Sequence, residues 1–295
     1  MMPLPLASPR SGDRSAAIDL EQVDSGYYRK PVLRGITFRI TEPAVYVVLG
    51  PNGAGKTTLF RTIAGILQPF SGEVRINGLP NEGRSAREHL HYLSHIDGIP
   101  EGLRVRAALQ FYATIERVPE GAVDHAIQLL GLEELQDQYF SQLSQGQKKR
   151  VSVARLFLRE KEIYLLDEPT SNLDPKVAGE IRELILRLAR DKIVLYSSHN
   201  LYEAREIGTR VIAIVGGRLT QFGRIDDIRV ERYVIGIRTL GPHPALASYR
   251  KEGDYYLIEV PGPNEVPAVV AELTAKGVMI REVREMENPL ESLFH

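Results

Sequence analysis

Residues 50 to 58 are the stretch whose residue types and spacing point most directly to chemistry. They fit the pattern G-x-x-x-x-G-K-[ST], between an apolar, β-branched run at 44–49 and a segment at 57–67 with apolar residues at helical spacing. In this context backbone N–H groups and the positive end of the helix hold phosphate oxygens. The sequence therefore predicts a nucleoside triphosphate site, the alternative being a glycine-rich surface turn. The predicted lining residues are Gly50, Pro51, Asn52, Gly53, Ala54, Gly55, Lys56, Thr57 and Thr58.

Four side chains have predicted roles in catalysis or metal binding. Lys56 would reach the β- and γ-phosphates, and the hydroxyl of Thr57 would ligate Mg²⁺. Asp167 ends the apolar run 163–167, where a carboxylate can give Mg²⁺ its second anchor. Glu168 follows directly and could polarise the attacking water. The alternative is an acidic junction between a strand and a loop.

A third signal is Leu143-Ser144-Gln145-Gly146-Gln147, followed by three basic residues at 148–150. Ser144 can cap the helix that follows, and Gly146 lets backbone approach an anion at its N-terminus. The helix dipole disfavours a basic first turn, and a bound phosphate would offset this cost. The alternative is a capped helix that binds nothing.

Taken in order, these motifs with residues 171–174 and His199 resemble the nucleotide-binding subunit of an ATP-binding cassette (ABC) transporter, over roughly residues 18–222. The resemblance implies ATP and Mg²⁺ as cofactors. It also implies that two copies pair head to tail. Each ATP would then lie between the phosphate loop of one copy and the helix start at Ser144, Gly146 and Gln147 of the other.

The resemblance implies further roles at single positions. Asp174 would lie at the dimer seam, and His199 would contact the γ-phosphate, although a lone His after a strand is more often structural. Tyr27 would stack on adenine, with the adjacent Tyr28 as the alternative. His95 aligns with a glutamine that touches Mg²⁺ in the family, its alternative being an exposed loop residue.

The departure at His95 puts the usual metal contact in doubt, but a neutral imidazole can accept a hydrogen bond from a Mg²⁺-bound water. A second departure is Gln145, where the family usually has glycine. Because Gly146 is kept, we expect this variant of the motif to be tolerated.

Composition limits the classes of function. The 295 residues carry a formal net charge of −1, which gives no sign of a nucleic-acid binder. There is no Cys, so thiolate metal sites and Cys nucleophiles are excluded. No apolar run is long enough to span a bilayer, so membrane subunits would be separate polypeptides. The predicted location is cytoplasmic, on the inner face of the membrane through those permease subunits.

The predicted fold is α/β, an ABC-type ATPase core with a mainly parallel sheet, an antiparallel β layer and a helical subdomain. Residues 1–16 are predicted to be a disordered tail, 17–224 the ATPase domain with its helical subdomain at about 96–150, and 225–295 a small β-β-α-β module. The helical insert is predicted to contain helices at 104–116, 122–130 and 133–139. The role of the last module stays open between dimerisation and regulation.

The leading hypothesis is an ATP-hydrolysing subunit that powers separate permease subunits and pairs with a second, identical or different ATPase subunit. Residues 287–294 resemble the closing segment of exporter-type members, the alternative being a short amphipathic terminal helix. One competing class is a cassette ATPase acting on ribosomes or nucleic acid, which usually has two cassettes, long coiled coils or zinc insertions. Another is a regulatory module with little turnover, which the intact Asp167, Glu168 and His199 argue against.

Overall fold

The computed structural model describes residues 17–94, 98–171, 173–199, 201–225, 233–261 and 265–287. Three predictions fall outside these ranges: the tail at 1–16, His95, and residues 288–294 of the closing segment. The chain divides into two compact units. The first combines the chain up to Val45 with Thr57–Tyr196, and the second combines Tyr46–Lys56 with the chain from Ser197 onward.

The helices and strands have the following bounds in chain order. They are β1 (Ile18–Tyr27), β2 (Lys30–Ile40), β3 (Ala44–Leu49), α1 (Lys56–Ile63), β4 (Ser71–Ile76), β5 (Leu79–Pro80), α2 (Arg84–Arg87), β6 (Leu90–Leu93), α3 (Val105–Glu116), α4 (Gly121–Leu129), α5 (Gln145–Ala154), β7 (Ile163–Asp167), α6 (Pro175–Leu188), β8 (Ile193–Ser198), α7 (Leu201–Ile207), β9 (Arg210–Val215), β10 (Arg218–Arg224), β11 (Tyr233–Thr239), β12 (Arg250–Glu252), β13 (Tyr255–Val260), α8 (Val266–Ala275) and β14 (Ile280–Glu287).

An antiparallel sheet with strand order β2-β1-β4-β5 confirms the predicted antiparallel layer. β1 continues as far as Tyr27 and pairs there with Lys30, so a short turn connects it to β2. The inward side chains alternate with exposed ones, as expected for a sheet with one solvated face. The buried ones include Ile18, Leu20, Val23, Leu33, Ile36, Phe38 and Ile40.

A second sheet has the strand order β10-β9-β3-β8-β7-β6. β3 pairs in parallel with β9, and β6 pairs in parallel with β7, whereas β9 and β10 form an antiparallel hairpin. Every residue of β7 and of β8 is buried. Continuous burial explains why these strands are apolar runs instead of alternating patterns. The prediction of a mainly parallel α/β core is confirmed.

The helical insert contains α3 and α4, which match two predicted helices to within about a residue. The third helix, predicted at 133–139, was wrong: this segment is a series of turns. Its carbonyl groups accept hydrogen bonds from the start of α3, Val105 N to Gln138 O at 3.0 Å and Arg106 N to Gln136 O at 2.9 Å. Within the segment itself, Leu135 N donates to Leu132 O and Gln138 N donates to Leu135 O, both at 3.0 Å, so the chain makes i→i−3 turns and not the i→i−4 bonds of an α-helix.

The C-terminal part forms a four-stranded antiparallel sheet in the order β12-β13-β11-β14, with α8 packed against it. The predicted strands and helix are present, and the short strand β12 is an addition to the expected β-β-α-β pattern. The core of this module consists of Ile235, Ile237, Leu246, Ile258, Val260, Leu273 and Val278. Within the described ranges, none of the helices is long and apolar enough to cross a membrane.

A buried ionic cluster fastens the end of α3 to the strands β6 and β7. Lys161 Nζ lies 3.0 Å from Glu116 Oε1, and His91 Nε2 donates to the carbonyl oxygen of Arg159 at 2.7 Å. His91 Nδ1 lies 4.0 Å from the same Glu116 oxygen. Burial, reinforced by the positive charge of Lys161, lowers the pKa of His91 to about 4. The imidazole is therefore neutral in the folded protein at physiological pH.

This pKa predicts how stability depends on pH. Because an unfolded His has a pKa near 6.5, the unfolded chain takes up the proton first, and stability falls as the pH drops from about 6.5 towards 4. Between pH 7.5 and pH 5 the loss due to His91 is about 2 kcal/mol. His91→Gln should therefore flatten the pH dependence of the free energy of unfolding, measured by urea titration. Lys161, Arg155, Arg159 and Glu116 are the charged groups around it and stay in place in this comparison.

The matched control is His89→Gln, which removes a half-exposed histidine two positions earlier in the chain. It is expected to keep the wild-type pH dependence. If both variants flatten the curve equally, burial of His91 is not the cause.

Candidate functional site

The predicted phosphate loop connects the end of β3 to the start of α1. Gly53 and Gly55 have φ angles of +80° and +109°, in the left-handed region that side chains rarely adopt. At Gly50 the backbone runs so close to the carbonyl oxygen of Ile214 and to Ala54 that a β-carbon would collide with both. The glycines of the motif are thus required by the backbone path itself. The Ala54 amide closes the turn by donating to the Pro51 carbonyl at 3.1 Å.

Lys56 lies inside this curve and is 6% exposed. Its ammonium donates to the carbonyl oxygens of Gly50 at 2.7 Å and Pro51 at 3.2 Å. These bonds satisfy a buried cation, which would otherwise be costly. They also fix the charge on the concave side of the loop, where the sequence predicted contact with phosphate.

The first turn of α1 follows, with Thr57 half-buried and Thr58 buried. The Thr58 carbonyl accepts from the hydroxyl of Thr62 at 2.8 Å, and that hydroxyl lies 2.7 Å from Ser25 Oγ. α1 has no acidic residue in its first turn. Its positive end is therefore not compensated by an acid from the helix itself.

The two predicted acids stand at the end of β7. Asp167 is 1% exposed, and Glu168 has a φ of +48°. A non-glycine residue in this region needs support from its surroundings. Ser171 supplies part of it, since its hydroxyl and its amide both donate to the Glu168 carbonyl, at 3.0 and 3.3 Å. The turn that carries the proposed catalytic carboxylate is therefore held in one conformation.

A hydrogen bond that the sequence did not suggest ties this turn to the next strand. The hydroxyl groups of Thr170 and Tyr196 lie 2.5 Å apart, and both side chains are buried. Tyr196 belongs to β8, the strand that leads to the predicted γ-phosphate contact His199. Periodicity does not distinguish a buried tyrosine that forms a hydrogen bond with a distant loop from one that only packs, so this contact could not be found from the sequence.

The predicted adenine contact lies at the end of β1. Tyr27 is half-buried, and its hydroxyl accepts from Arg61 Nη1 at 3.0 Å. Tyr28 is 97% exposed, so its ring is accessible to a ligand without any rearrangement. Both assignments stay predictions. Close by, burial and the negative charge of Asp167 raise the pKa of Tyr92 to about 12, so this phenol stays protonated.

The third motif lies beside a cavity within the first unit. Ser144 is the N-cap of α5, as predicted: its Oγ accepts from Gln147 N at 3.3 Å while Gln147 Oε1 accepts from Ser144 N at 2.9 Å. Asp174 is the N-cap of α6 and accepts from Val177 N at 3.1 Å. Both helix starts open on a cavity of about 600 Å³. Its lining is Gly131, Glu133, Glu134, Leu135, Ser144, Gly146, Gln147, Arg150, Asp174 and Val177.

The structure thus brings four of the predicted residues, Ser144, Gly146, Gln147 and Asp174, around one cavity. Arg150 also lines this cavity, although the sequence identified it only as part of a basic run. Its guanidinium lies 2.6 Å from the carboxylate of Glu180. His199 follows β8 and is exposed. The roles of these residues toward a ligand stay predictions.

Comparisons with known proteins agree with this picture. A family model described as ABC transporter matches residues 33–171. Nod factor export ATP-binding protein I of Rhizobium meliloti is 32% identical over 239 residues, which are 78% of this chain and 71% of that protein. Sulfate/thiosulfate import ATP-binding protein CysA of Bradyrhizobium diazoefficiens is 36% identical over 211 residues, 66% of this chain and 60% of that protein. The structure of cbiO1 from Clostridium perfringens, part of the ABC transporter complex cbiONQ, aligns with a TM-score of 0.63 and 28% identity over 72% of this chain and 90% of that chain.

The bond between Thr170 and Tyr196 generates a prediction. Tyr196→Phe keeps the ring but removes the hydroxyl that anchors the turn after Glu168. We expect kcat for ATP hydrolysis to fall roughly 5- to 10-fold, the worth of one such hydrogen bond, with KM for ATP unchanged. Thr170→Val should have the same effect, and the double variant should lose no more than either one, because both remove a single bond.

The control is Tyr164→Phe in the neighbouring strand β7, which is equally buried and whose hydroxyl accepts from Lys161 N at 3.2 Å. It should keep wild-type kcat. A loss of kcat in Tyr164→Phe as large as in Tyr196→Phe would show that removing any buried phenol suffices, and the positioning role would be rejected.

Proposed function

The chain belongs to the ABC transporter family as an ATP-binding, ATP-hydrolysing subunit, and on this premise we propose that two ATPase subunits pair head to tail around two ATP molecules and drive separate permease subunits. The observation that carries the proposal is that one chain contains both a phosphate loop and a second cavity at two helix starts. The loop supplies Lys56 and backbone amides. The cavity supplies the starts of α5 and α6. A triphosphate held between two copies would use both.

ATP chemistry at this site requires Mg²⁺, which we propose is held by the Thr57 hydroxyl and Asp167. Nowhere in the described ranges do three or more His, Asp or Glu side chains form a metal-binding cluster. That fits Mg²⁺, because this ion usually keeps several waters and binds through one or two protein oxygens and the phosphates of its nucleotide. Asp167 is a buried carboxylate at the end of a buried strand, so it can supply one of these protein oxygens. Bound there, the ion would neutralise charge on the phosphates.

We assign the protein side of the reaction as follows. Lys56 orients the β- and γ-phosphates, and Glu168, held by the turn at Ser171, positions and deprotonates the attacking water. His199 contacts the γ-phosphate. Ser144 and the backbone at Gly146 of the second subunit complete the donor set, so that hydrolysis requires both copies.

For direction, we propose export. The relatives that match include one named for export and one named for import, so likeness alone does not set the direction. The support is the resemblance of residues 287–294 to the closing segment of exporter-type members, together with an export protein among the relatives. ATP-dependent uptake of cargo into inverted vesicles containing the permease would test the direction.

The helical insert offers a surface for the permease. On α3, Phe111 is 52% exposed and Ile115 is 57% exposed, and their four-residue spacing puts them on one face. We propose that this apolar pair receives a short helix of the permease, with the ATPase lying on the inner face of the membrane. An amphipathic helix laid into an apolar surface is a common recognition mode.

The nucleotide dimer is tested with Ser144→Asp in a Glu168→Gln background. Glu168→Gln should block turnover and trap a dimer that depends on ATP, seen by light scattering after size exclusion. Asp caps a helix as well as Ser does, so Ser144→Asp should keep α5 and the melting temperature. Its negative charge would face the triphosphate, so the ATP-dependent dimer should disappear.

Glu160→Gln is the matched control for Glu168→Gln, because it removes an exposed acid near the start of the same strand. It should neither block turnover nor trap a dimer. An ATP-dependent dimer that persists with Asp at position 144 would contradict the head-to-tail arrangement.

The permease surface gives a separate prediction. Phe111→Glu with Ile115→Glu should leave basal ATP hydrolysis unchanged but abolish its stimulation by the permease and co-purification with membranes. Leu186→Glu on α6, an apolar residue that is 43% exposed, is the control and should leave stimulation intact. Normal stimulation in the double variant would exclude this face of α3 as the docking surface.

A further inference from the structure

β14 lies at one side of the C-terminal sheet, and among the described residues β11 is its one paired strand. A terminal strand presents a row of backbone N–H and C=O groups on its outer side, which another strand can pair with. The register against β11 is continuous from Glu282 to Glu285 and shifts by one residue on either side of this run. The straight part of the edge is therefore four residues long.

The charges along this edge are complementary to themselves. In the sequence Arg281-Glu282-Val283-Arg284-Glu285, two residues at the same distance from Val283 always carry opposite charges. If two copies pair antiparallel about Val283, Glu282 of each lies opposite Arg284 of the other. Position 281 likewise lies opposite position 285.

Other centres within the run do not give this match. A centre at 282 puts Glu282 opposite its own copy, and a centre at 284 puts Arg284 opposite its own copy. Like charges placed directly opposite each other destabilise a strand pair, whereas opposite charges stabilise it. The charge pattern therefore selects a single register for self-pairing.

Two charged side chains of the straight run, Glu282 and Arg284, are held in place before any partner arrives. Tyr255 Oη donates to Glu282 Oε2 at 2.9 Å, and the guanidinium of Arg284 lies 4.3 Å from the centre of the Tyr255 ring. Arg284 Nε is also 3.4 Å from the sulfur of Met286. Because these contacts restrict both side chains, less rotational freedom is lost when they pair.

We propose that a second copy of this chain docks on β14 in an antiparallel arrangement, with a two-fold axis at Val283, to form a continuous eight-stranded sheet. The occupant is a second copy because the edge complements itself, as a symmetric dimer interface requires. The short straight run predicts a reversible dimer. This contact needs no nucleotide, so it is distinct from the proposed ATP-dependent dimer and gives residues 233–287 a role of their own.

The first test uses the absence of cysteine from the chain. Directly opposite β-carbons in an antiparallel pair lie about 4.5–5.5 Å apart, and the lower end of this range meets the spacing of about 3.5–4.5 Å that a disulfide requires. Val283→Cys should therefore give a covalent dimer under mild oxidation. The variant also carries Lys56→Ala and is kept in EDTA without nucleotide, which removes the other dimer. Arg250→Cys in β12, at the opposite side of the same sheet, is the control and should stay monomeric.

The second test is charge complementation in the Val283→Cys background. Glu282→Arg puts arginine opposite arginine, and Arg284→Glu puts glutamate opposite glutamate, so each alone should cross-link at least about tenfold more slowly. Mixed together, the two variants face each other with opposite charges, and the mixed dimer should form at the original rate. Local unfolding of the strand would not produce such a rescue.

The outcomes separate clearly. Cross-linking of Val283→Cys with rescue in the mixture supports the proposal. Three results would overturn the proposal. Val283→Cys could remain monomeric at about 500 µM, or Arg250→Cys could cross-link equally well. The third is that the two charge variants remain monomeric when they are mixed. Because nucleotide is absent throughout, none of these results bears on the ATP-dependent dimer, whose own test is the Ser144→Asp variant.

Discussion

The positive ends of α1 and α5, whose first turns contain no acidic residue, are the electrostatic feature on which the proposed site depends. α1 begins with Lys56, and in α5 a basic run begins at Lys148 in the first turn and continues through residues 149 and 150 in the second. Each arrangement places positive charge where the helix dipole is already positive, at a cost of about 0.3–1 kcal/mol per helix. A polyanion relieves this cost at both ends. The starts of these two helices therefore support the proposal of a triphosphate ligand.

The rigid strands determine how accurately the catalytic groups are placed. β7 and β8 are buried along their whole length, so packing holds the residues at their ends in fixed positions. Glu168 leaves β7 through a left-handed backbone conformation, which costs energy on the order of 1–3 kcal/mol. The bonds of Ser171 to its carbonyl, and of Thr170 to Tyr196, offset that cost. A strained residue held from two sides is well suited to orient a carboxylate toward water.

Much of this arrangement could be predicted because the evidence was local. The glycine pattern predicted the path of the loop at 50–58. Because β7 and β8 are buried on both faces, they could be recognised as apolar runs. Ser144 is a residue type that is preferred at helix N-caps. The predictions that were wrong or missing concern contacts between residues far apart in the chain. The helix expected at 133–139 had suitable apolar spacing, but the segment forms i→i−3 turns whose end is bonded to the start of α3 through the carbonyls of Gln136 and Gln138. The cluster at His91 and the bond of Tyr196 join residues 25 or more positions apart, which no periodicity reveals.

The buried ammonium of Lys56 shows how such a site can exist before its ligand arrives. Two carbonyl oxygens of the same loop, those of Gly50 and Pro51, accept its hydrogen bonds and keep the loop curved around the charge. Phosphate oxygens are stronger partners than carbonyls, because a bond between two ionised groups is roughly twice as strong as one with a neutral partner. In the proposed function, binding of a triphosphate would therefore exchange partners at a side chain that is already in place. The loop would lose little conformational freedom in that exchange, which would keep the binding energy available for orienting the γ-phosphate.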